Sequence, residues 1–502
     1  MIIWGYSAGV HDAALSVIKD DQVVFASTAD RYSGELHDAN LNANIVSYAL
    51  NWGEPDYVTY YEQPWHRWTR QLRAGQYAEV THPFLPRTHL DSIKSLNYKQ
   101  FYYTDHQLSH AGAYYHSGFN DAAIIVVDAM SQWTTASVWL GRGSKLKKVW
   151  GMRYANSLGL FYSAMTQRCG LQHNKDELAF MGLAATGDYR KYYDLLKADL
   201  IAWKRYPTPR VRLRVNMHRG ISWWRNDITD LNNLAAAAQK IYEEILFDIT
   251  LFARGISNTK NLVLVGDCAR NSAANAIIAR RELFENIYIP PAVGDAGASL
   301  GSILAHSKKP VELPTNQLGY NIEGDYPLNS ALELLLQGKP VAIANGRAEF
   351  GEQSSGNRSI LIDPRIIDAR EQINSIKGRN SWETYCPAIL EEYVEQHYKV
   401  TANKSPYSHF NAKCIGQAYP SIVHADNTSK VQTVSAESAP NLYKLLAMWY
   451  ERTGFPMLLN TGLESGDLPT VNNEIQAQEF ANRHNIPVLI NETTTLTPNQ
   501  IS

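Results

Sequence analysis

The sequence predicts an α/β fold in two parts, a duplicated N-terminal domain over residues 1–335 and a smaller α/β domain over 336–502. Three observations carry that expectation. Residues 2–26 and 124–149 are diverged copies of one strand–turn–strand–hairpin–strand unit, set about 120 residues apart. Short apolar runs, such as 122–127 and 261–266, lead into small polar turns, as strands of an α/β sheet do. The pattern then breaks over 306–338, where Lys308-Lys-Pro-Val-Glu-Leu-Pro314 and the loop after it read as an interdomain linker. It restarts with the apolar strand Lys339-Pro-Val-Ala-Ile-Ala-Asn345.

In the first copy, Ile2-Ile-Trp-Gly-Tyr6 is a strand, followed by a small polar turn and by Ala13-Ala-Leu-Ser-Val-Ile18. Lys19-Asp-Asp-Gln22 turns the chain into Val23-Val-Phe-Ala26. The second copy runs Ile124-Ile-Val-Val-Asp128, a polar turn, Thr135-Ala-Ser-Val-Trp-Leu140, the turn Gly141-Arg-Gly-Ser144 and a strand ending at Val149. Two related lobes, each offering the backbone N–H groups of its first hairpin to phosphate, are the actin/hexokinase-like architecture. A third strand, Asn261-Leu-Val-Leu-Val-Gly266, leads through small residues into a helix whose N-terminus suits an anion.

The run Asp105-His-Gln-Leu-Ser-His110 places His106 and His110 one turn apart on one helical face, where both Nε2 atoms can reach one cation. Taken alone, such a pair is most often an ordinary polar surface. Here it precedes the strand 122–127, which ends in Asp128, and sheet ends are where α/β folds gather ligand groups. A second acid, Asp295, stands in the Gly-rich turn Val293-Gly-Asp-Ala-Gly-Ala298. Two histidines with two aspartates make an N2O2 set for a divalent metal, with iron or zinc suited to the imidazoles.

The balance of 47 Lys+Arg against 49 Asp+Glu leaves a formal charge of -2, so global charge points to no polyanion partner. Cys169, Cys268, Cys386 and Cys414 lie far apart without C-x2-C spacing, which argues against a structural zinc or a disulfide framework. No apolar run reaches the length of a membrane span, and the N-terminus shows no leader pattern. The chain reads as soluble and cytoplasmic. One local exception to the even charge is residues 203–225, where Lys204, Arg205, Arg210, Arg212, Arg214, Arg219 and Arg225 occur without an acid. Trp203, Tyr206, Trp223 and Trp224 are interleaved, a composition that suits a nucleic-acid backbone and exposed bases. The competing reading is a basic hairpin on a solvated face.

The chain resembles the O-carbamoyltransferases of nodulation-factor and antibiotic biosynthesis. The resemblance rests on Gly9-Val-His11-Asp12-Ala-Ala14, His106-x3-His110-Ala, Asn156-Ser-Leu-Gly-Leu-Phe-Tyr-Ser163, Met181-Gly-Leu-Ala184 and Gly294-Asp-Ala-Gly297. It continues through Gly346-Arg-Ala-Glu-Phe-Gly351, Gly356-Asn-Arg-Ser-Ile360, Val431-Gln-Thr-Val434 and Leu459-Asn-Thr461. It implies an N-terminal domain similar to the universal tRNA threonylcarbamoyl transferase and a C-terminal one similar to threonylcarbamoyl-adenylate synthase. It further implies that carbamoyl phosphate and ATP give carbamoyl-adenylate in the second domain, and that the carbamoyl group then passes to an acceptor hydroxyl in the first. On that resemblance, His106, His110, Asp128 and Asp295 bind a divalent metal (iron, with zinc, manganese or magnesium as alternatives). His11 and Asp12 are the catalytic pair, and Arg347, Lys377, Arg358, Asn460 and Lys430 hold the nucleotide. The acceptor expected is a sugar or antibiotic hydroxyl, with a hydroxymethyl pyrimidine in DNA raised by the 203–225 segment.

Several positions depart from the family pattern. In the N-terminal part these are Gln132, Gly266-Asp267 and Asp30-Arg31-Tyr32. In the C-terminal part they are Gln353 and Glu383 where the family has arginines, Lys430 for arginine and Gly462 for serine. Glutamate for arginine at 383 replaces attraction toward phosphate by repulsion, and glutamine at 353 removes a bidentate donor. These swaps leave a second reading: a catalytically impaired partner subunit that positions substrate for an active paralogue, in a homo- or hetero-oligomer.

Overall fold

The computed structural model describes residues 1–81, 83–130, 132–205, 207–380, 383–400, 404–466 and 468–498, without the side chains of Ala78 and Glu79. Tyr206, one of the aromatics of the basic segment, lies outside the described residues. The chain forms two compact units, one of residues 1, 3–7 and 55–312 and one of residues 2, 8–54 and 313–502.

The duplication is visible in the sheets. The first contains β1 (Ile2–Ser7), β2 (Ala14–Lys19), β3 (Gln22–Thr28), β4 (Tyr57–Tyr60) and β5 (Gln100–Tyr103), in the order β3-β2-β1-β4-β5. The second is built from β6 (Asp121–Val127), β7 (Thr134–Arg142) and β8 (Lys145–Arg153). After a separate hairpin of β9 (Ile201–Lys204) and β10 (Arg210–Leu213), β11 (Asn261–Val265) and β12 (Asn286–Tyr288) complete it. Its order, β8-β7-β6-β11-β12, repeats the first strand for strand. In each copy the two later strands run parallel, β1–β4–β5 and β6–β11–β12, and the hairpins β2–β3 and β7–β8 are antiparallel. Same order and same sense are the two-lobed actin/hexokinase-like arrangement.

Strand β6 is buried from Ala122 to Val127, as a central strand covered on both faces must be. Helices close over the sheets at one decisive place. The helix His106–Ala111 and the helix Asp295–Ser307 touch backbone to backbone where Gly112 meets Gly301. A Cβ on Gly112 would stand 2.2 Å from the Gly301 carbonyl oxygen, and one on Gly301 would stand 1.9 Å from that of Ser109. Only glycine permits this approach.

In the C-terminal unit a mixed seven-stranded sheet carries helices on both faces. Its strands Val341–Ala344, Arg358–Ile362 and Met457–Gly462 divide by alternation. Ala342, Ala344, Ile360, Ile362 and Leu459 pack with Ile373 and Phe480 of the helices Ala369–Lys377 and Glu474–His484. Val341, Ile343, Leu361 and Leu458 pack with Leu332, Leu442 and Trp449 of the helices Leu328–Leu336 and Pro440–Thr453. The region read as a linker is therefore partly core. Gln317–Ile322 pairs antiparallel with Gly346–Glu349, and Leu332 and Leu335 bury the inner face of Leu328–Leu336. The prolines and charges of 308–314 hid an amphipathic helix that follows them.

Candidate functional site

The metal-ligand candidates converge. One ligand atom each from His106, His110, Asp128 and Asp295 lies within 4.8 Å of the others, and all four residues are buried. His106 Nε2 stands 2.8 Å from Asp128 Oδ2 and 3.1 Å from His110 Nε2. Both Nε2 atoms are 3.5 Å from Asp295 Oδ1. Each group reaches this point for a local reason. Asp105 caps the helix His106–Ala111 by accepting from Leu108 N at 3.1 Å, which aims the first turn. Asp128 ends β6, and its second oxygen accepts from Ala129 N at 2.9 Å. Asp295 opens its helix, held by a hydrogen bond that the Tyr61 hydroxyl donates to Oδ2 at 3.2 Å.

Two imidazole nitrogens and two carboxylates facing one point fit a divalent metal. Electrostatics agree. Burial pushes His110 down, but the hydrogen bonds it donates to the Asp128 and Asp295 carboxylates outweigh that and lift its pKa to about 10. Burial likewise opposes the charge on His106, and Asp295 followed by Asp128 more than offsets it. Burial would raise Asp128, yet the two imidazoles hold it well below the usual carboxylate range. The pocket thus demands positive charge. Behind it, the buried Glu62 lies 3.9 Å from His106 Nδ1 and accepts from Arg67 at 3.1 Å. Tyr61 and Glu62 were not singled out from sequence; their only signal there is that they follow strand β4.

His11 and Asp12 belong to the other compact unit. The Asp12 carboxylate lies 3.0 Å from His11 Nδ1 and 2.6 Å from His37 Nδ1. His37 is a partner that no sequence spacing revealed.

The nucleotide-site candidates share the C-terminal unit without converging on one point. Arg358 is fully buried, and its guanidinium donates to the carbonyls of Tyr320, Asn345, Gly346, Asn357 and Asn472. Those bonds account for its five N–H groups. Arg347 donates to the carbonyls of Val24, Leu318 and Gly319 and lies over the Trp52 ring. Lys377, also buried, donates to the Gly462 carbonyl at 2.7 Å and to Glu464 at 2.6 Å. Asn460 donates to the Ser354 carbonyl at 2.9 Å and to Gln432 at 2.8 Å, and Gln353 joins the same amide cluster. Lys430 stands half-buried on a short strand opposite Asn411. Glu383 accepts from Asn380, so its charge serves a local turn. In the loop 355–358, the Glu349 carboxylate accepts from the N–H groups of Ser355, Asn357 and Arg358.

The basic segment forms the β9–β10 hairpin, with Arg210 opposite Lys204. Arg210, Arg212 and Arg214 are exposed, and Arg205 pairs with Asp248. Of its aromatics, Trp223 is exposed, whereas Trp224 is buried and donates to Asp199 at 3.2 Å, an anchor rather than a stacking platform. No helix among the described residues is long and apolar enough to cross a membrane.

Comparison with known proteins gives these sites a family. The sequence profile of the carbamoyltransferase N-terminus matches residues 65–304, and that of the carbamoyltransferase C-terminus matches 332–497. The uncharacterized protein sll1178 of Synechocystis sp. is 28% identical over 93% of this chain and 92% of its own. Nodulation protein NolNO of Sinorhizobium fredii is 26% identical over 93% of this chain and 76% of its own. Nodulation protein NolO of Bradyrhizobium diazoefficiens is 27% identical over 73% of each. Both halves of one family match in order, on either side of the break near 306–338, and the chain belongs to the carbamoyltransferase family.

Proposed function

We propose that this chain is an ATP- and metal-dependent O-carbamoyltransferase. It would hydrolyse carbamoyl phosphate to carbamate and inorganic phosphate, join the carbamate to ATP as carbamoyl-adenylate with release of pyrophosphate, and pass the carbamoyl group to an acceptor hydroxyl with release of AMP. The observation that carries the reading is the buried convergence of His106, His110, Asp128 and Asp295 in a carbamoyltransferase.

In this reading the domain 1–335 performs the transfer and the domain 336–502 forms the adenylate. His106, His110, Asp128 and Asp295 hold the metal; the imidazole donors favour iron or zinc over manganese and magnesium, which prefer oxygen. Bound there, the cation supplies charge stabilisation for phosphate oxygens. Tyr61 keeps Asp295 oriented, and its own burial next to that carboxylate holds the phenol protonated as a donor. Asp12 engages His11 Nδ1, which makes Nε2 the nitrogen for the acceptor's proton. For the nucleotide, Lys377, Lys430 and Asn460 are the groups offered, while Arg347 and Arg358 build the loops around them. An anion binding at Lys377 must displace Glu464.

The test is incubation of the purified protein with ATP, carbamoyl phosphate and hydroxyl acceptors. Carbamoyl-phosphate-dependent pyrophosphate release and an acceptor mass gain of about 43 Da, one carbamoyl group, are expected. A protein that binds neither nucleotide nor divalent metal would sink the reading. Sugars and antibiotic hydroxyls are the first acceptors to try. The exposed Arg210, Arg212 and Arg214 support a hydroxymethyl pyrimidine in DNA as the second class. That class requires steeply salt-dependent DNA binding that is lost when the three arginines become alanine.

A further inference from the structure

His37 is not part of the reading above, yet it makes the shortest contact in the His11–Asp12 loop, 2.6 Å from its Nδ1 to Asp12 Oδ1. Asp12 Oδ2 lies 3.0 Å from His11 Nδ1, so one carboxylate bridges two imidazoles with one oxygen for each. A carboxylate accepts and does not donate, so both contacts place the proton on Nδ1. In each ring Nε2 is then the nitrogen not engaged by Asp12. The Asp12 side chain is only 18% exposed, against 38% for His11 and 37% for His37, so the carboxylate is shielded while both rings reach solvent.

Holding the loops together does not explain this contact. Gly9 N donates to the Ala39 carbonyl at 2.6 Å and Ala13 N to the Asp38 carbonyl at 2.8 Å, which already joins the turn before β2 to the segment 37–39. Asp12 and His37 both adopt left-handed backbone, with φ of 49° and 58°. Non-glycine residues reach that region only at a steric cost. Both residues thus carry strain at the contact that aligns them.

We infer that His37 is a positioning residue for His11: it holds one oxygen of Asp12 so that the other fixes His11 as the Nδ1–H tautomer. This rests on the carbamoyl-transfer reading. In that reaction the acceptor O–H proton moves to His11 Nε2 as the new C–O bond forms. The bond from the carbamoyl carbon to the adenylate phosphate oxygen breaks, AMP leaves with its electron pair, and Asp12 stays anionic. Without His37, Asp12 Oδ1 loses its 2.6 Å contact, and the carboxylate orientation that sets the His11 tautomer is weakened.

Histidine-selective 15N NMR on the full chain tests this without substrate, and so independently of the transfer reaction. The His11 signals are assigned by their loss in His11→Gln. The wild type should show Nδ1 protonated and Nε2 unprotonated at His11. His37→Ala should mix the two tautomers, as should Asp12→Asn. His37→Asn, whose amide N–H occupies the place of Nδ1–H, should restore the wild-type pattern. A His11 tautomer unchanged in His37→Ala, an Nε2–H tautomer in the wild type, or no restoration by His37→Asn would each overturn the inference. Should His37→Ala not fold, the comparison of Asp12→Asn with His37→Asn decides it in the same way.

Discussion

Substitution of Gly301 by alanine tests whether the helix crossing builds the metal set. Gly301 lies six residues along the helix that begins with Asp295, against the helix that carries His106 and His110. Its added Cβ would stand 1.9 Å from the Ser109 carbonyl oxygen, where ordinary contact begins at 3.4 Å. The obstacle is backbone, so the helices must separate by about 1.5 Å. Metal ligands tolerate roughly 0.2 Å. The shift therefore detaches Asp295 from the two imidazoles, and affinity should fall by about 100-fold or more, beyond the usual effect of losing a supporting hydrogen bond. Overpacking costs about 1–3 kcal/mol in addition, small enough for the chain to fold. Isothermal titration of the metal-free protein with Mn(II) and Zn(II), alongside a melting curve, reads both effects. Gly301→Ala with wild-type affinity and wild-type melting would refute the argument that close helix contact makes the site.

Asp128→Asn keeps the volume and removes a ligand charge, so metal retained after dialysis, measured by mass spectrometry, should fall well below one ion per chain. Arg358→Met should cost at least about 3 kcal/mol in urea unfolding, because five carbonyl partners lose a buried donor. An Arg358→Met protein of wild-type stability that has lost only ATP binding would assign the guanidinium to the nucleotide instead. Glu464→Gln leaves the Lys377 ammonium without its counter-charge, a loss of about 3 kcal/mol at neutral pH. The pH dependence separates the variant from the wild type. Burial would raise Glu464, but Lys377 and then Arg379 pull its pKa to about 2. Its contribution is thus complete above the ordinary glutamate value and lost as pH falls through about 2, and this acid limb should vanish in the variant. Burial lowers Lys377 to about 8 even with Glu464 raising it. The wild type therefore gains stability from about pH 8 toward the usual lysine value, and in the variant, where the ammonium has lost that carboxylate, the same rise should begin at a lower pH.

The parts of this fold that sequence reveals are those with a fixed period or a fixed spacing. Strand β6 shows as an unbroken apolar run because both its faces are covered, and the His106/His110 pair shows because helix geometry sets the interval. Asp128 and Asp295 were found because each stands where an element ends or begins. His37 has no such mark: it reaches Asp12 from 25 residues away, through backbone bonds between two loops that have no periodicity. The helix Leu328–Leu336 was missed for the opposite reason, since the prolines before it read as a boundary while its buried leucines pack within the C-terminal core. Trp224 misled in a third way, because an aromatic among arginines looks like a stacking surface whether it points outward or, as here, into the protein.

The contrast between the two candidate sites follows from how each balances its charge. At the candidate metal set, two buried carboxylates converge on two imidazoles, and the positive charge they call for comes from protons, held at a His110 raised to about 10, or from a cation. Such a site is poised for a ligand, since a divalent ion replaces protons without any protein group having to move away. In the C-terminal unit the reverse holds. Three of the candidate cations already have an internal acceptor: carbonyls for Arg347 and Arg358, and Glu464 for Lys377. The N–H groups of the loop 355–358 have the Glu349 carboxylate. A phosphate entering there competes with groups that are already satisfied, so its binding energy is the difference between two similar interactions. Glu464 is the acceptor best able to yield, because its side chain is 30% exposed while Lys377 and Arg358 are buried. If this unit forms the adenylate, as proposed, phosphate binding at Lys377 requires movement at Glu464, whereas a cation at the His106/His110/Asp128/Asp295 cluster requires no such movement.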